Sequence, residues 1–288
     1  MLTRPAAHFP APVRVPNTES WNICSRAGLA YRIFLAWPEG EPPSEGWDVV
    51  YLLDGNAWFG TLVDSLRMQN RRPDVTGVGP AITVGIGYPT DTVVDVERRR
   101  YDLTPSRGAR ASSEDDASIG GGDAFLAFIV EELGPMIDAR FGLHLPRRVV
   151  FGHSFGGLFV LHALMTRPDA FAAYAAASPS LWFDGGSMLR TAETARIPSS
   201  ASVVIMAGAL EQPDSRALDG AGGQAPCRMP DRAMIDNART MAERLGARGD
   251  AGPIVRFHVF PGENHVSVVP AAISRALPFL LNRSNTSR

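Results

Sequence analysis

A serine lies between two glycines in the G-x-S-x-G pentapeptide at positions 152–156. The apolar run RRVVFGH (147–153) precedes this residue, Ser154, and an apolar run of helical composition follows it over 155–165. A strand, a sharp turn and a helix in this order form a nucleophile elbow, in which glycines leave room for a strained turn. We therefore predict that Ser154 is a nucleophile. The backbone N–H of Phe155, at the positive end of the helix, is predicted to donate to an oxyanion. The alternative is a glycine-rich turn with an incidental serine.

A serine nucleophile needs a general base, and the sequence offers six histidines. In a fold with such an elbow the acid follows the serine and the histidine comes last. His265, in the segment PGENHVSVVP (261–270), follows the final apolar run and is the predicted base; the alternative is a histidine of a surface loop. His153, inside the elbow, is expected to point away from Ser154 and to shape the substrate pocket. The other four precede the serine or lie within predicted elements: His8, His144, His162 and His258.

The carboxylate that orients the base is expected after the apolar run that ends near Gly208. The segment MAGALEQPD (206–214) offers Glu211, which we favour, and Asp214 as the alternative. A carboxylate here would fix the imidazole tautomer and stabilise the imidazolium. A solvated loop carboxylate and a Ser–His pair without an acid both stay open on the sequence.

A second oxyanion donor is expected in the loop after the third strand. That loop is Asp54-Gly55-Asn56-Ala57. Gly55 permits a tight turn, and the backbone N–H of Asn56 is the candidate donor. The alternative is a simple Asp-Gly turn.

Apolar runs rich in β-forming residues alternate with helical patterns along the chain. The predicted strands cover 29–37, 47–55, 81–89, 147–153, 171–178, 202–208 and 254–260, and the predicted helices cover 57–70, 123–141, 155–165, 231–245 and 266–281. This alternation predicts an α/β fold, with a mainly parallel sheet flanked by helices on both faces. We expect one domain over 1–288, with an extended N-terminal arm (1–16) and long loops at 105–122 and 211–230. The 105–122 loop is the candidate lid.

Composition excludes several classes of function. The 288 residues carry 28 basic and 30 acidic side chains, so no basic excess points to nucleic acid. All 28 basic residues are arginine, so no lysine can form a Schiff base. Metal-ligand and nucleotide-binding motifs are missing from the sequence, and we expect neither a metal nor a cofactor. Cys24 and Cys227 lack a CxxC spacing and are expected to be free thiols.

The chain also lacks the apolar length that a membrane span or an export leader needs. We therefore expect a cytoplasmic protein without a membrane partner. The sequence carries no signal for an oligomeric state.

Several blocks together resemble the esterase D family of α/β-hydrolases. These blocks are VVYLLDGNAWF, RRRYDLTP, GGGDAFLAFI, FGHSFGGLFVLHALMTRPDAFAAYAAASPSLWF, GALEQ and GENHVSV. The chain is most similar to the siderophore-ester hydrolases, which cleave trilactone iron chelators such as enterobactin, salmochelin and bacillibactin. The resemblance implies that Ser154 is the nucleophile, that His265 is the base and that Glu211 lies where relatives carry an acid. It also implies that Arg100 contacts an anionic catecholate and that Trp182 lines the pocket.

The expected activity is ester hydrolysis through an acyl-enzyme, on a siderophore trilactone. The partner is then a small ester, including a ferric siderophore. The alternatives are a general carboxylesterase or thioesterase on small acyl groups, including S-acylglutathione, and a non-catalytic ligand binder with a hydrolase fold. The intact set of Ser154, His265 and Glu211 argues against the binder.

Overall fold

One sheet runs through the molecule, which a computed structural model describes over residues 13–44, 46–106, 118–144, 146–212 and 232–282. Eight strands lie within these ranges: β1 (Thr18–Cys24), β2 (Ala30–Ala36), β3 (Asp48–Leu53), β4 (Ala81–Gly87), β5 (Arg148–His153), β6 (Ala173–Ala177), β7 (Ser202–Gly208) and β8 (Ile254–Phe260). Their order across the sheet is β1-β2-β4-β3-β5-β6-β7-β8. The pairs β1–β2 and β2–β4 are antiparallel, and all pairs from β4 to β8 are parallel.

This topology confirms the predicted α/β-hydrolase architecture, and each of the seven predicted strands is present. Strand β1 was not predicted. Its sequence, TESWNIC, is half exposed and pairs only with β2 at the sheet edge. A short strand with polar residues at alternate positions carries a weaker signal than the fully buried strands of the centre.

Helices cover both faces of the sheet. They are α1 (Gly55–Asn70), α2 (Pro73–Thr76), α3 (Val96–Asp102), α4 (Gly122–Ala127), α5 (Gly134–Phe141), α6 (Phe155–Thr166), α7 (Ser187–Thr194), α8 (Met234–Gly246) and α9 (Val268–Leu280). The helix predicted over 123–141 is divided by a π-helical segment, Phe128–Leu133. Pro135 follows that segment and offers no N–H to the preceding turn. The short helices α2, α3 and α7 were not predicted.

Alternate residues of β3 enter two separate cores. Val49, Tyr51 and Leu53 pack in the core that also contains residues of α6 and α8. Val50 and Leu52 pack in the core that contains residues of α1 and α9. Because both faces are covered, the central strands are apolar at nearly every position, which explains why they were predictable from sequence.

The carboxyl ends of the parallel strands meet at one edge of the sheet. The turns that follow β3, β5, β7 and β8 lie at this edge. They carry the four segments that contain Asn56, Ser154, Glu211 and His265. In open α/β sheets this edge is where ligands bind.

Most of the two predicted long loops, 105–122 and 211–230, lies outside the described residues, as do residues 1–12 of the predicted arm. That the whole chain forms a single domain stays a prediction. In the described part of the chain, no helix has both the length and the apolar character to cross a membrane.

Candidate active site

Ser154 occupies a strained turn between β5 and α6, with φ 60° and ψ −116°. Its N–H donates to the carbonyl oxygen of Ala177 at 2.9 Å, which fixes the turn against the end of β6. A Cβ on Gly152 would lie 2.3 Å from the carbonyl oxygen of Gly156, so only glycine fits at 152. A Cβ on Gly156 itself would come no closer than 3.5 Å to its surroundings. Close packing in the elbow therefore demands the first glycine of the pentapeptide and not the second.

His265 lies beside Ser154, with its Nε2 atom 3.1 Å from Ser154 Oγ. Its loop between β8 and α9 is held by local hydrogen bonds. The Asn264 Oδ1 atom accepts from the N–H groups of Val266 and Ser267, and Ser267 Oγ accepts from the N–H of Asn264. The imidazole is 40% exposed, so a substrate can reach it. This loop holds the ring without burying it.

Glu211 contacts the other nitrogen of the same ring, with Oε2 2.7 Å from His265 Nδ1. Its Oε1 atom accepts from the N–H of Gly208 at 2.6 Å and from Ser178 Oγ at 2.5 Å. The carboxylate is 1% exposed. Burial raises its pKa, but the hydrogen bonds from His265, Ser178 and Gly208 outweigh burial, and the pKa of Glu211 is lowered overall. Asp214, the alternative acid, lies outside the described residues.

The ionised Glu211 determines where the proton of the neutral imidazole lies. A carboxylate can only accept, so His265 Nδ1–H donates to Glu211 and Nε2 is left as an acceptor. Ser154 then donates its hydroxyl proton to Nε2. This is the arrangement in which a histidine can deprotonate a serine.

Gly208, at the end of β7, permits the approach of the histidine loop. A Cβ here would lie 2.4 Å from the carbonyl oxygen of Glu263 and 3.1 Å from that of Asn264. The N–H of Leu210 donates to the same Glu263 oxygen at 2.9 Å. The loops that carry Glu211 and His265 are thus joined through their backbones as well as through their side chains.

The two predicted oxyanion donors lie at the starts of two helices. Phe155 is the first residue of α6 and Asn56 is the second of α1, so neither N–H has a partner in its own helix. The Asn56 side chain ties α1 to the end of β4, since Oδ1 accepts from Tyr88 N–H at 2.8 Å and Nδ2 donates to Tyr88 O at 3.0 Å. These two hydrogen bonds fix the first turn of α1.

An ion pair between Asp54 and Arg99 lies beside these donors and was not predicted. Both oxygens of Asp54 accept from the Arg99 guanidinium at 2.9 Å, and the two side chains are 7% and 15% exposed. The same guanidinium lies 5.8 Å from the centre of the Phe155 ring. Asp54 has φ 54° and is the N-cap residue of α1. Arg99 therefore holds the residue that precedes the first turn of α1, to which Asn56 belongs. The sequence signal is the Arg triplet at 98–100, of which only Arg100 was singled out from the sequence.

The predicted substrate-binding residues occupy different settings. Arg100 on α3 is exposed, and it forms no ion pair with any residue that the structure describes. Trp182 is half-buried, and its ring centre lies 6.0 Å from that of Phe155. Arg232, which was not predicted, places its guanidinium 4.2 Å from the centre of the Trp182 ring. An aromatic surface with a cation on it therefore lies next to the elbow.

His153 supports the base. Its Nε2 lies 2.7 Å from the carbonyl oxygen of His265, and the two ring centres are 4.6 Å apart. Burial, with the nearby His265, lowers the pKa of His153 to about 4, so the ring is neutral and its Nε2–H donates. The residue is only 8% exposed. It therefore offers little surface to a substrate, and its direct contact is with the loop that carries His265.

No group of three metal-ligating side chains occurs among the residues that the structure describes. Cys24 is exposed at the end of β1 and forms no disulfide with any described residue. Cys227 lies outside the described residues.

Comparison with known proteins finds similar esterases. A family model described as "Putative esterase" matches residues 25–267. The ferri-bacillibactin esterase BesA of Bacillus subtilis strain 168 is 36% identical over 278 residues, covering 93% of this chain and 91% of that protein. The siderophore enterobactin esterase of Emericella nidulans is 34% identical over 300 residues, covering 93% of this chain and 95% of that protein. The crystal structure of the BES protein from Bacillus cereus superimposes with a TM-score of 0.80 at 33% identity, covering 95% of this chain and 99% of that one.

The fold and these similarities define the class of protein: a carboxylic ester hydrolase with an α/β-hydrolase fold. The matched segment covers more than half of the chain, and two relatives exceed 30% identity over almost all of it. The chain belongs to this esterase family.

Proposed function

We propose that the protein hydrolyses the ester bonds of iron-chelating siderophores through an acyl-enzyme on Ser154. The observation that carries the proposal is the continuous contact from Ser154 Oγ to His265 Nε2 at 3.1 Å and from His265 Nδ1 to Glu211 at 2.7 Å. The names of the similar proteins, a ferri-bacillibactin esterase and an enterobactin esterase, support the substrate class.

The first half of the reaction forms the acyl-enzyme. His265 takes the proton of Ser154, and the Oγ electron pair attacks the ester carbonyl carbon. Glu211 stabilises the imidazolium by the hydrogen bond it already accepts. The tetrahedral intermediate collapses as the alkoxide leaves, and His265 gives its proton to that oxygen, so an alcohol departs.

The second half regenerates the enzyme. His265 takes a proton from water, whose oxygen attacks the acyl carbon, and then returns that proton to Ser154 Oγ as the carboxylic acid leaves. In both halves the N–H groups of Phe155 and Asn56 donate to the oxyanion. Both groups belong to first turns of helices, where backbone N–H groups have no helical acceptor. The reaction requires no cofactor.

Substrate recognition is assigned to the surface beside the elbow. Trp182 offers an aromatic ring for contact with an aromatic acyl group, and the Arg232 guanidinium over that ring adds positive charge. Arg100 is exposed and keeps its charge available for an anionic ligand such as a catecholate. We include His153 as the residue that holds the base loop rather than as a substrate contact.

The test compares ferric and iron-free catecholate trilactones with p-nitrophenyl acetate and butyrate, for wild type and Ser154→Ala. We expect fast trilactone cleavage, slow turnover of the simple esters, and a loss of about 10⁴-fold or more in the variant with an unchanged circular dichroism spectrum. Turnover that survives in Ser154→Ala would refute the mechanism.

The same assay separates the alternatives. Faster turnover of the simple esters, of a thioester or of S-acylglutathione would favour a general acyl hydrolase and would leave the mechanism in place. A wild-type protein that binds the trilactone but does not react with a fluorophosphonate probe would be a non-catalytic ligand binder. The predicted cytoplasmic location is tested separately by fractionation.

A further inference from the structure

A turn that the reaction described above does not use connects the nucleophile to the acid. It comprises Ser178, Pro179 and Ser180, directly after β6, and we call it the serine turn. Ser178 and Ser180 are 0% and 2% exposed. Ser178 adopts φ 45°, a left-handed conformation that costs energy for any residue except glycine. Two buried hydroxyl groups on a strained backbone at the catalytic edge of the sheet call for a functional explanation.

The serine turn is fixed at its first residue by the acid and its strand. The Ser178 N–H donates to the carbonyl oxygen of Met206 on β7 at 2.7 Å. The Ser178 hydroxyl donates to Glu211 Oε1 at 2.5 Å, since the ionised carboxylate can only accept. Ser178 thus holds the oxygen of Glu211 that does not contact His265.

The last residue of the turn contacts the nucleophile twice. The Ser180 N–H donates to the carbonyl oxygen of Ser154 at 3.1 Å, and the two hydroxyl oxygens are 3.2 Å apart. The turn also packs tightly on the start of α6. A Cβ on Gly157 would lie 3.0 Å from the Cα of Pro179. The backbone that carries the Ser180 hydroxyl is therefore held in place by Ser154 and by the start of α6.

The direction of the hydroxyl–hydroxyl bond follows from a count of protons. Ser154 has one hydroxyl proton and donates it to His265 Nε2, which has no proton because Nδ1 carries it. Ser154 Oγ can then only accept from Ser180. When the Ser154 proton moves to His265, negative charge develops on Oγ, and a donated hydrogen bond to a charged oxygen is stronger than one to a neutral hydroxyl. Ser180 keeps its own proton throughout.

We propose that Ser180 is a positioning residue for acylation: its hydroxyl holds Ser154 Oγ toward His265 and stabilises the charge on Oγ as the proton leaves. Ser178 anchors the same turn to Glu211. The inference rests on Ser154 being the nucleophile, as proposed above, but it does not depend on which ester is the substrate.

The experiment measures how fast Ser154 reacts with a fluorophosphonate probe, which needs the nucleophile and base but no specific substrate. We compare wild type, Ser180→Ala and Ser180→Thr, with Ser202→Ala as the matched control. Ser202 is also a fully buried serine, and its hydroxyl has no hydrogen-bond partner among the described residues. Steady-state kcat and KM for p-nitrophenyl acetate and the thermal unfolding midpoint accompany each variant.

We expect Ser180→Ala to react about 10-fold more slowly with the probe, the loss typical of one hydrogen bond to a group that becomes charged. Its kcat/KM for p-nitrophenyl acetate, which reports the acylation step, should fall by a similar factor. The threonine variant, which keeps a hydroxyl, should return to within about 3-fold of wild type, and Ser202→Ala should match wild type.

Two results would overturn the inference. One is an alanine variant that reacts at the wild-type rate. The other is a threonine variant that is as slow as the alanine variant although it unfolds at the wild-type temperature. If the threonine variant is less stable, the kcat/KM of Ser180→Ala for p-nitrophenyl acetate decides, and a wild-type kcat/KM counts against the inference. A wild-type protein that the probe does not label contradicts the proposed function itself, which is a distinguishable outcome.

Discussion

Two regions near the elbow hold their polar groups in different ways. We call the first, comprising Ser154, His265 and Glu211, the Ser–His–Glu cluster; each of its side chains is hydrogen-bonded to another. The second comprises Trp182 and Arg232 beside the elbow and the exposed Arg100 of α3. We call this second set the recognition surface, after the role proposed for it. Its two guanidinium groups form no ion pair with any residue that the structure describes, and the Arg232 group lies on an aromatic ring instead.

The difference fits the role proposed for each region. A proton moves between groups that must be held within a few tenths of an ångström, and this requires buried partners and fixed backbone. A surface that receives an anion needs charges that are still available when the ligand arrives. The side chains of the Ser–His–Glu cluster are therefore hydrogen-bonded to each other, whereas the guanidinium groups of the recognition surface stay available to a ligand.

The largest expected effect comes from removing the charge of the acid. Glu211→Gln keeps the shape of the side chain but no longer stabilises the imidazolium, so kcat should fall by about 10³- to 10⁴-fold. Steady-state kinetics with p-nitrophenyl acetate checks this, and Glu193→Gln on the exposed end of α7 is the control. A loss of less than about 3-fold would indicate a Ser–His pair, or a role for Asp214, which Asp214→Asn would then reveal.

Breaking the pair of Asp54 and Arg99 should cost stability. Arg99→Met leaves a nearly buried carboxylate without its partner, and the free energy of unfolding should drop by about 3–4 kcal/mol. The neighbouring Arg100→Met provides a matched control, with an expected change within about 0.5 kcal/mol because that residue is exposed. Urea denaturation measures both. If Arg99→Met is as stable as wild type, the pair does not support the start of α1. The double variant Arg99→Met with Asp54→Asn should recover part of the lost stability.

The burial of His153 makes the stability of the protein depend on pH. Its pKa in the folded protein is about 4, below that of an unfolded histidine, so its contribution to stability is fully present above about pH 6.5. That contribution is lost as the pH falls from about 6.5 to about 4, and the free energy of unfolding then drops by on the order of 3 kcal/mol. His153→Phe removes this dependence, so wild type should lose stability relative to the variant on acidification. Buried Asp102, whose pKa is raised to about 6 mainly by burial, titrates in the same range in both proteins and cancels in the comparison. Parallel unfolding curves at pH 7 and pH 5 would contradict the assignment.

The smallest effect should come from the recognition surface. Arg100→Ala should raise KM for a ferric catecholate trilactone about 10-fold, with kcat and the turnover of p-nitrophenyl acetate unchanged, because one exposed charge contributes about 1.4 kcal/mol or less. Arg71→Ala, at the opposite end of α1 from Asn56, controls for the loss of a positive charge. A rise in KM for both esters, or for the control variant as well, would remove Arg100 from the recognition surface.

The sequence was sufficient for the fold and for the order of the candidate residues. The central strands are apolar at nearly every position because both faces are buried. Ser154 lies in a local strand–turn–helix whose residues are adjacent in the chain. The loop that carries His265 follows the last strand, and this too can be recognised without tertiary contacts. The short, half-exposed elements β1, α3 and α7 were missed because little of their surface is buried in a periodic pattern.

Tertiary structure decided which side chains meet. Asp54 and Arg99 are 45 residues apart, Ser154 and Ser180 are 26 apart, and Ser178 and Glu211 are 33 apart. None of these pairs has a spacing that a helix or a turn would impose, and each forms only because parallel strands bring their carboxyl ends to one edge of the sheet. The sequence by itself therefore determined the chemistry that Ser154 and His265 can perform. The tertiary structure determined the partners that hold those groups, since hydrogen bonds across a sheet edge depend on strand order and register rather than on local pattern.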